Sequence, residues 1–369
     1  MTEQMATLLR TAIIGTGRIA GTYDDEVIDR RPPAYYTGEN RHSGAYTIPP
    51  TNHAAALQSL PEYTLVAAAN RSPDKLNAFG ERYGVAARYA DVDQLVRAEA
   101  PDVVVVCTQS PQKAEVVIAA AELGGTRGLR AIVVEKALAC SMAEADAMLA
   151  ACRQHGVFLA VNHPNRFSPM MRAARAMIAG DEIGPVTSVT AHAVGGMLHI
   201  GTHVFDMIRF WAGDVTEIYA RMPEYATDAD LPAQGMLTFA NGATGFFDHT
   251  HRAQQSLEAR GPKGYVTASS AMGDGWLFRY APTQPPAARR QYPMRISAEP
   301  LAIEPHTQSL TQRLYGELYA TLTQGADFVS SGEDGARALE LGLACYVSHR
   351  AQTPIALPLA DRDFYIPNR

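Results

Sequence analysis

Nearly continuous apolar runs recur through the first half of the chain, at residues 11–14, 65–69, 103–107, 131–134 and 157–161, separated by stretches with helical spacing. A strand with one wet face alternates apolar and polar positions, whereas a strand covered on both faces does not. The runs therefore predict one parallel sheet built of βαβ units. Helix starts between them are marked by residue chemistry. Ser72 before Pro73, and Ser110 before Pro111, place an oxygen acceptor at the cap and a pre-set backbone angle at the first helical position. Ser141 and Glu144 have capping-box spacing, and Gly156 stands where that helix should stop.

After residue 164 the pattern changes. Ser168 and Pro169 open a helix that Gly180 closes, and strand-like runs follow at 186–193, 217–221 and 236–240. Asn241 and Gly242 supply the positive backbone angles of a tight hairpin, so this second sheet is at least partly antiparallel. Helices are expected near 307–323 and 333–346. The reading is an α/β chain of two domains: residues 1–164 with a doubly wound parallel sheet, and residues 165–369 as an α+β domain with an open, mainly antiparallel sheet.

Composition narrows the function classes. The chain has 369 residues, 47% hydrophobic and 19% charged, enough to bury two cores and unlike a disordered composition. A net charge of -6 without any Lys/Arg block argues against a nucleic-acid partner. The first residues do not read as a secretion signal, and no apolar stretch approaches the roughly 20 residues that span a bilayer. Cys107, Cys140, Cys152 and Cys345 lie far apart without CxxC spacing, which argues against a metal knuckle or disulfide scaffold. The expectation is a protein of the reducing cytoplasm with no membrane partner.

The first strand runs into GTGRIAG, comprising Gly15, Thr16, Gly17, Arg18, Ile19, Ala20 and Gly21. In a dinucleotide fold the first glycine makes a tight turn, the second admits the pyrophosphate to the backbone, and a small third residue packs helix on strand. Following the first strand of several βα units, this marks a Rossmann domain. The next strand ends in Asn70, Arg71 and Ser72. A carboxylate there holds the ribose of NAD and repels the 2′-phosphate of NADP. Asn70 is neutral and Arg71 offers a cation, so NADP is favoured slightly over NAD. Gly21 and Asn70 are spaced far more widely than the motif's usual run of about 20 residues. Residues 22–52, with Arg30, Arg31, Tyr35 and Tyr36, therefore read as an insertion, either a surface decoration or a cover over the cofactor or a neighbouring subunit.

With this loop stand EKALA at 135–139, NRFSP at 165–169, GGMLHIGTHVFD at 195–206, and the closing stretches GEDGARALEL and IALPL. Together they resemble the glucose-fructose oxidoreductase and inositol dehydrogenase family, often written Gfo/Idh/MocA, over nearly the whole chain. The resemblance implies a Rossmann domain followed by an open-faced sheet domain, with substrate held between sheet and nicotinamide. It implies NAD(P)-dependent hydride transfer at a carbinol or carbonyl carbon of a sugar, polyol or related small molecule, and a homo-oligomer, dimer or tetramer. A redox-neutral lyase or glycosidase with tightly bound NAD(H) is the alternative within the family. A regulator without catalysis is disfavoured by the presence of both Lys136 and His203.

Residue roles follow from the same resemblance. Lys136 matches an active-site lysine, although Ala137 replaces the usual proline. His203 matches the acid/base histidine, while His199 stands where relatives carry an aspartate; at a spacing of four the two imidazoles share a helix face. Asp206 either orients His203 or serves only the fold. The HxxxH pair suits a transition metal in principle, but no third ligand beyond Asp206 is at hand and no metal is expected. Lys113 falls where a histidine is usual, and Thr108 and Gln109 replace a Thr-Pro pair, with Thr108 lining the nicotinamide site. Glu135, Asn162, His163 and Arg166 are candidates for touching cofactor or substrate, Arg166 equally for holding the domains together. His192, His249, His251 and Arg252 are candidate pocket residues whose facing depends on strand register.

Overall fold

The computed structural model describes residues 7–29, 48–223, 230–250, 255–269, 274–280, 296–303 and 307–367. The apolar runs become β1 (Leu9–Ile14), β2 (Tyr63–Ala69), β4 (Val103–Val106), β5 (Ala131–Glu135) and β6 (Phe158–Asn162). The short β3 (Ala87–Tyr89) completes a six-stranded sheet of order β3-β2-β1-β4-β5-β6, parallel throughout. All four residues of β4 and all five of β5 are buried, which is why these strands show no alternation. The strand order reverses between β1 and β4, and a crevice opens beyond their carboxyl ends.

The helices of this half are α1 (Tyr23–Asp29), α2 (His53–Gln58), α3 (Pro73–Tyr83), α4 (Val92–Glu99), α5 (Ser110–Gly125) and α6 (Met142–Gln154). Ser141 caps α6 as expected, accepting from the Glu144 N–H at 3.2 Å, and Gly156 takes a left-handed φ of +66° just past its end. Two other starts differ. Ser72 makes no side-chain cap bond, and Ser110 is already the first helical residue, with Gln109 at the cap. The interruption of the first crossover is pinned at its base: the buried Asp24 carboxylate accepts from Thr51 N–H at 2.7 Å and Asn52 Nδ2 at 2.5 Å, and Asn52 caps α2. Arg30, Arg31, Tyr35 and Tyr36 lie outside the described residues.

The second sheet is built from β7 (Ser188–His192), β8 (Val215–Arg221), β9 (Gln234–Phe239), β10 (Thr244–Asp248), β11 (Ser256–Gly261), β12 (Gly264–Ser269), β13 (Asp274–Tyr280), β14 (Ile296–Pro300) and β15 (Ile355–Ala356). Its order is β14-β13-β12-β11-β7-β10-β9-β8-β15, antiparallel except for β7 against β10. The Asn241–Gly242 turn joins β9 to β10, with Gly242 at φ +83°. Strand β9 alternates exposed and buried positions, so one face is covered and the other open. The covered face meets α7 (Pro169–Ala179), α8 (Thr202–Ala212) and α10 (Gly332–Ala351).

One helix departs from the expected division at 164/165. In α9 (Leu310–Gln324), Leu310, Leu314, Tyr315 and Leu318 pack with Leu9, Ile13 and Tyr63 of the first sheet. The chain thus returns from the second sheet to cover the first before α10 turns back. Both helices begin on complete capping boxes, Ser309 with Gln312 and Ser331 with Asp334.

A buried ion cluster ties the segment that leaves β6 to the helices of the second half. Arg166 sits on a 3₁₀ turn (Pro164–Phe167) directly after β6, its side chain 7% exposed. Its Nε donates to both oxygens of the fully buried Asp206 on α8 at 2.9 Å, and its Nη2 lies 2.9 Å from Asp334 Oδ1 at the start of α10. Removing one partner of such a pair strands a buried charge, costing about 3–5 kcal/mol. Asp206→Ala should therefore lower conformational stability by about 3 kcal/mol in urea titration, and a loss below about 1 kcal/mol would show that the cluster does not hold the halves together.

Candidate active site

A cleft of about 1190 Å³ runs along the carboxyl ends of β1, β2, β4 and β5 and ends at the start of α8. Gly15, Gly17, Arg18 and Ile19 line one stretch of it, with Asn70, Arg71 and Ser72 beyond them. Thr108, Glu135, Lys136, Asn162, His199 and His203 line the other end. Thr16 does not line the cleft; its hydroxyl accepts from Asn70 Nδ2 at 2.7 Å, and Asn70 Oδ1 accepts from Ser72 N–H at 2.9 Å, so these three shape the rim together.

The glycine loop has the form a dinucleotide requires. Gly15 sits at φ +88°, and an added Cβ would fall 2.9 Å from the backbone of Cys107 and Thr108. At Gly17 an added Cβ would meet no protein atom within 4 Å, so the backbone there is bare toward the cleft. At the Lys136 end, the buried Thr108 Oγ1, Asn162 Oδ1 and His203 Nδ1 have no hydrogen-bond partner among the described residues. Buried polar atoms are normally paired, so three of them converging on one end of the cleft suit a polar ligand there. These features fit a nicotinamide dinucleotide, with the pyrophosphate on the glycine loop and the reactive ring beside Thr108, Glu135 and Asn162.

Two domains supply the polar groups at that end. Lys136 follows β5, and His199 lies on a π-helical turn (Met197–Gly201) that runs straight into α8, which carries His203. Lys136 Nζ donates to the His199 carbonyl at 2.8 Å and stands 3.3 Å from His199 Nδ1. Burial holds the Lys136 ammonium below its ordinary pKa against the opposing pull of Glu135 and Asp230. The Lys136 charge, and then burial, lower His199, while burial first and Lys136 second push His203 well below 6.5. His203 is therefore a neutral imidazole at physiological pH.

Glu135 lines the cleft, and its carboxylate is held from the protein side. Its Oε1 lies 2.9 Å from His53 Nε2 and accepts from Asn162 Nδ2 at 2.6 Å, while His53 Nδ1 lies 2.7 Å from the Tyr315 hydroxyl of α9. Burial alone would raise the Glu135 pKa, but the His53 and Asn162 contacts and the nearby Lys113 reverse the sign and keep it ionised. Lys113 is likewise buried, and burial pushes it down to about 8. Its Nζ donates to the Ala137 carbonyl at 2.6 Å, bracing the segment after Lys136, where the Lys136–Ala137 peptide is cis.

Other expected residues fall elsewhere. Arg166 is absent from the cleft lining, because its guanidinium is consumed by Asp206 and Asp334. Asp206 accordingly serves the fold and does not orient His203. His163 is buried edge-on to His203, ring centroids 5.9 Å apart. His192 packs against Phe246, and His249 stacks on Phe205 with its pKa lowered by burial to about 4; neither lines the cleft. His251 and Arg252 lie outside the described residues. No group of three or more His, Cys, Asp or Glu side chains placed to hold a metal occurs among the described residues. Leu310 and Thr311 of α9 do line the cleft, as does Gln255 ahead of β11. Their segments reach it only through tertiary packing, which leaves no mark at this spacing in the sequence.

Fold and cleft together define a two-domain, nicotinamide-dinucleotide-dependent oxidoreductase. The chain belongs to the Gfo/Idh/MocA family: residues 44–163 match "Oxidoreductase family, NAD-binding Rossmann fold" and residues 171–267 match "GFO/IDH/MocA C-terminal domain". Among its relatives are a D-apiose dehydrogenase of Paraburkholderia graminis, 27% identical over 83% of this chain and 86% of that protein, and a myo-inositol 2-dehydrogenase of Thermotoga maritima, 26% identical over 60% and 72%. A levoglucosan dehydrogenase in complex with NADH and levoglucosan has the same fold, with TM-score 0.74 and 18% identity over 95% of this chain and all of that one. So does the Caulobacter crescentus aldose-aldose oxidoreductase, with TM-score 0.71 and 20% identity over the same shares. These relatives are named as oxidoreductases and give the redox-neutral alternative no support. Among the described residues no helix is long and apolar enough to cross a membrane.

Proposed function

We propose that this protein is a dehydrogenase or reductase of sugars, polyols or related hydroxylated small molecules, oxidising or reducing one carbinol carbon. The observation that carries the reading is the meeting of Lys136, from the first domain, with His199 and His203, from the second, at the end of a dinucleotide-shaped cleft. Sugar and polyol dehydrogenases among the relatives support the substrate class. The second half, with its sheet and α8, supplies the substrate side of the site.

The nicotinamide, when bound, accepts or returns the hydride. The protein handles the accompanying proton and charge. In the oxidative direction the carbinol O–H lies between Lys136 Nζ and His203. The neutral His203 imidazole accepts the hydroxyl proton, and the Lys136 ammonium stabilises negative charge developing on the oxygen. Reduction runs the same transfers in reverse. His199 shapes the wall of the pocket next to Lys136. A group transferring a proton in this way contributes about 10² to 10⁴ in rate. Lys136→Ala and His203→Ala should each lower turnover by about that factor while the cofactor dissociation constant, read by dihydronicotinamide fluorescence, changes little. Near-parent turnover in both variants would remove these residues from the chemistry.

We further propose a modest preference for NADP(H). Asn70 brings no carboxylate to the ribose end, and the exposed Arg71 lines the cleft beside it, with Lys75 one helical step on. Arg71→Ala should weaken NADP(H) binding about tenfold, as expected for loss of one charge-assisted phosphate contact, and leave NAD(H) binding near the parent value. Tighter binding of NAD(H) than NADP(H) by the parent protein would contradict the preference. The cysteines, far apart in the sequence and without CxxC spacing, support a reducing compartment, the cytoplasm.

The open sheet face is proposed as the surface of a homo-oligomer. Met236 and Phe246 face each other across β9 and β10, 58% and 40% exposed, and Trp276 on β13 is 40% exposed. A patch of large apolar side chains on an open sheet is costly to leave in water. Light scattering at micromolar concentration should give a dimer or tetramer mass that falls when Met236 and Phe246 are both replaced by Lys. A monomer mass for the parent would reject the interface.

A further inference from the structure

Asp230 stands between the reactive residues and the core of the second domain. Its carboxylate accepts the backbone N–H of His199 at 2.7 Å and of Leu198 at 3.0 Å. It also accepts the Tyr346 hydroxyl of α10 at 2.6 Å, and that hydroxyl in turn accepts the Leu231 N–H at 2.8 Å. The Met197 N–H donates to the Leu231 carbonyl at 3.0 Å. Three successive N–H groups of the turn, at Met197, Leu198 and His199, are thus held by residues 230 and 231, which are braced from behind by Tyr346. On the opposite side of His199, its carbonyl receives Lys136 Nζ at 2.8 Å. One residue's backbone therefore separates a carboxylate from an ammonium. Gly196 makes the approach feasible, since a Cβ there would fall 2.2 Å from Asp230 Cγ.

We propose that Asp230 is a positioning residue for the reaction: by fixing the His199 turn it fixes the carbonyl that anchors Lys136, and so sets where the amine stands relative to His203. The role rests on the dehydrogenase reading given above. The first N–H groups of a helix have no partner within it, and an ionised carboxylate satisfies them with stronger, more directional bonds than water does. A reacting group displaced by as little as about 1 Å loses about a hundredfold in rate, so an anchor of this kind has a kinetic value separate from stability. Lys136 is faced by Glu135 at the end of β5, by Asp230, by His199 on the turn, by Arg18 of the glycine loop, and by Lys113 and His203. Burial and Arg18 push its pKa down, whereas Glu135 and Asp230 pull it up, so loss of the Asp230 charge moves Lys136 further down.

Asp230→Asn removes the charge and keeps the shape. The pH dependence of Lys136 acetylation by acetic anhydride, followed by peptide mass spectrometry, reads the amine directly and needs neither substrate nor cofactor. The expected result is a Lys136 midpoint lower by roughly half a pH unit. Alongside it, kcat should fall about tenfold with cofactor binding unchanged, and Asp230→Glu should restore part of the rate. An Asp230→Asn protein that loses only thermal stability, with the acetylation midpoint and kcat of the parent, overturns the role. Should Asp230→Asn fail to fold, Tyr346→Phe decides: a folded variant with turnover lowered at least about twofold supports it, and one with parent turnover and acetylation profile overturns it. A parent protein that oxidises no polyol or sugar under any cofactor would sink the dehydrogenase reading, while the acetylation midpoint would still decide whether Asp230 governs Lys136.

Discussion

A buried guanidinium that cannot stay unpaired fixes how the two sheets of this protein meet. Arg166 leaves β6 at the carboxyl edge of the first sheet and finds its carboxylates on α8 and α10 of the second half. Charges of this kind are costly to desolvate, and they hold their partners in place because separation would leave each one stranded. Asp206 is three residues from His203 on the same helix, so the helix that satisfies Arg166 is also the one that carries His203. Fold and site share an element here: Arg166 does not line the cleft, but its partner Asp206 lies on the helix that brings His203 to it. Helix α9 reinforces the join by burying Leu314 and Tyr315 against the first sheet and passing the Tyr315 hydroxyl to His53.

Electrostatically the reactive end is layered. His53, Glu135 and Asn162 form a hydrogen-bonded chain that continues to Tyr315, with the carboxylate kept ionised. Above it lie two lysines of different kinds. Lys113, which also lines the cleft, is buried and donates to the Ala137 carbonyl, whereas Lys136 reaches across to the second domain. Burial lowers the pKa of both. The unpaired atoms of Thr108, Asn162 and His203 mark where a ligand's polar groups complete the layer.

What could be read from the sequence divides along physical lines. Strands β1, β2, β4, β5 and β6 were legible because burial on both faces leaves nearly unbroken apolar runs, and the hairpin at Asn241–Gly242 because a tight turn favours this pair, although only Gly242 takes a positive φ. Strands β11 to β14 were not, since each is only five to seven residues long and together they mix small, polar and aromatic residues. Gly15, Lys136 and His203 stood out because each belongs to a local motif. Arg166 carried two readings, and the ion cluster selects the one that joins domains. Asp230, Thr311 and Gln255 reach the site or its support from segments distant in the chain, and the return of α9 to the first sheet, which a division at 164/165 excludes, is what brings Thr311 there.

The central claim is that one hydroxylated carbon is held between residues of two domains at the end of a dinucleotide cleft. A crystal structure of the protein with reduced cofactor and a bound polyol tests it most directly. The carbinol oxygen should lie within hydrogen-bond reach of both Lys136 Nζ and the His203 ring, with the nicotinamide beside Thr108 and Asn162. A polyol bound elsewhere, or one whose nearest protein donors and acceptors exclude both Lys136 and His203, would contradict it.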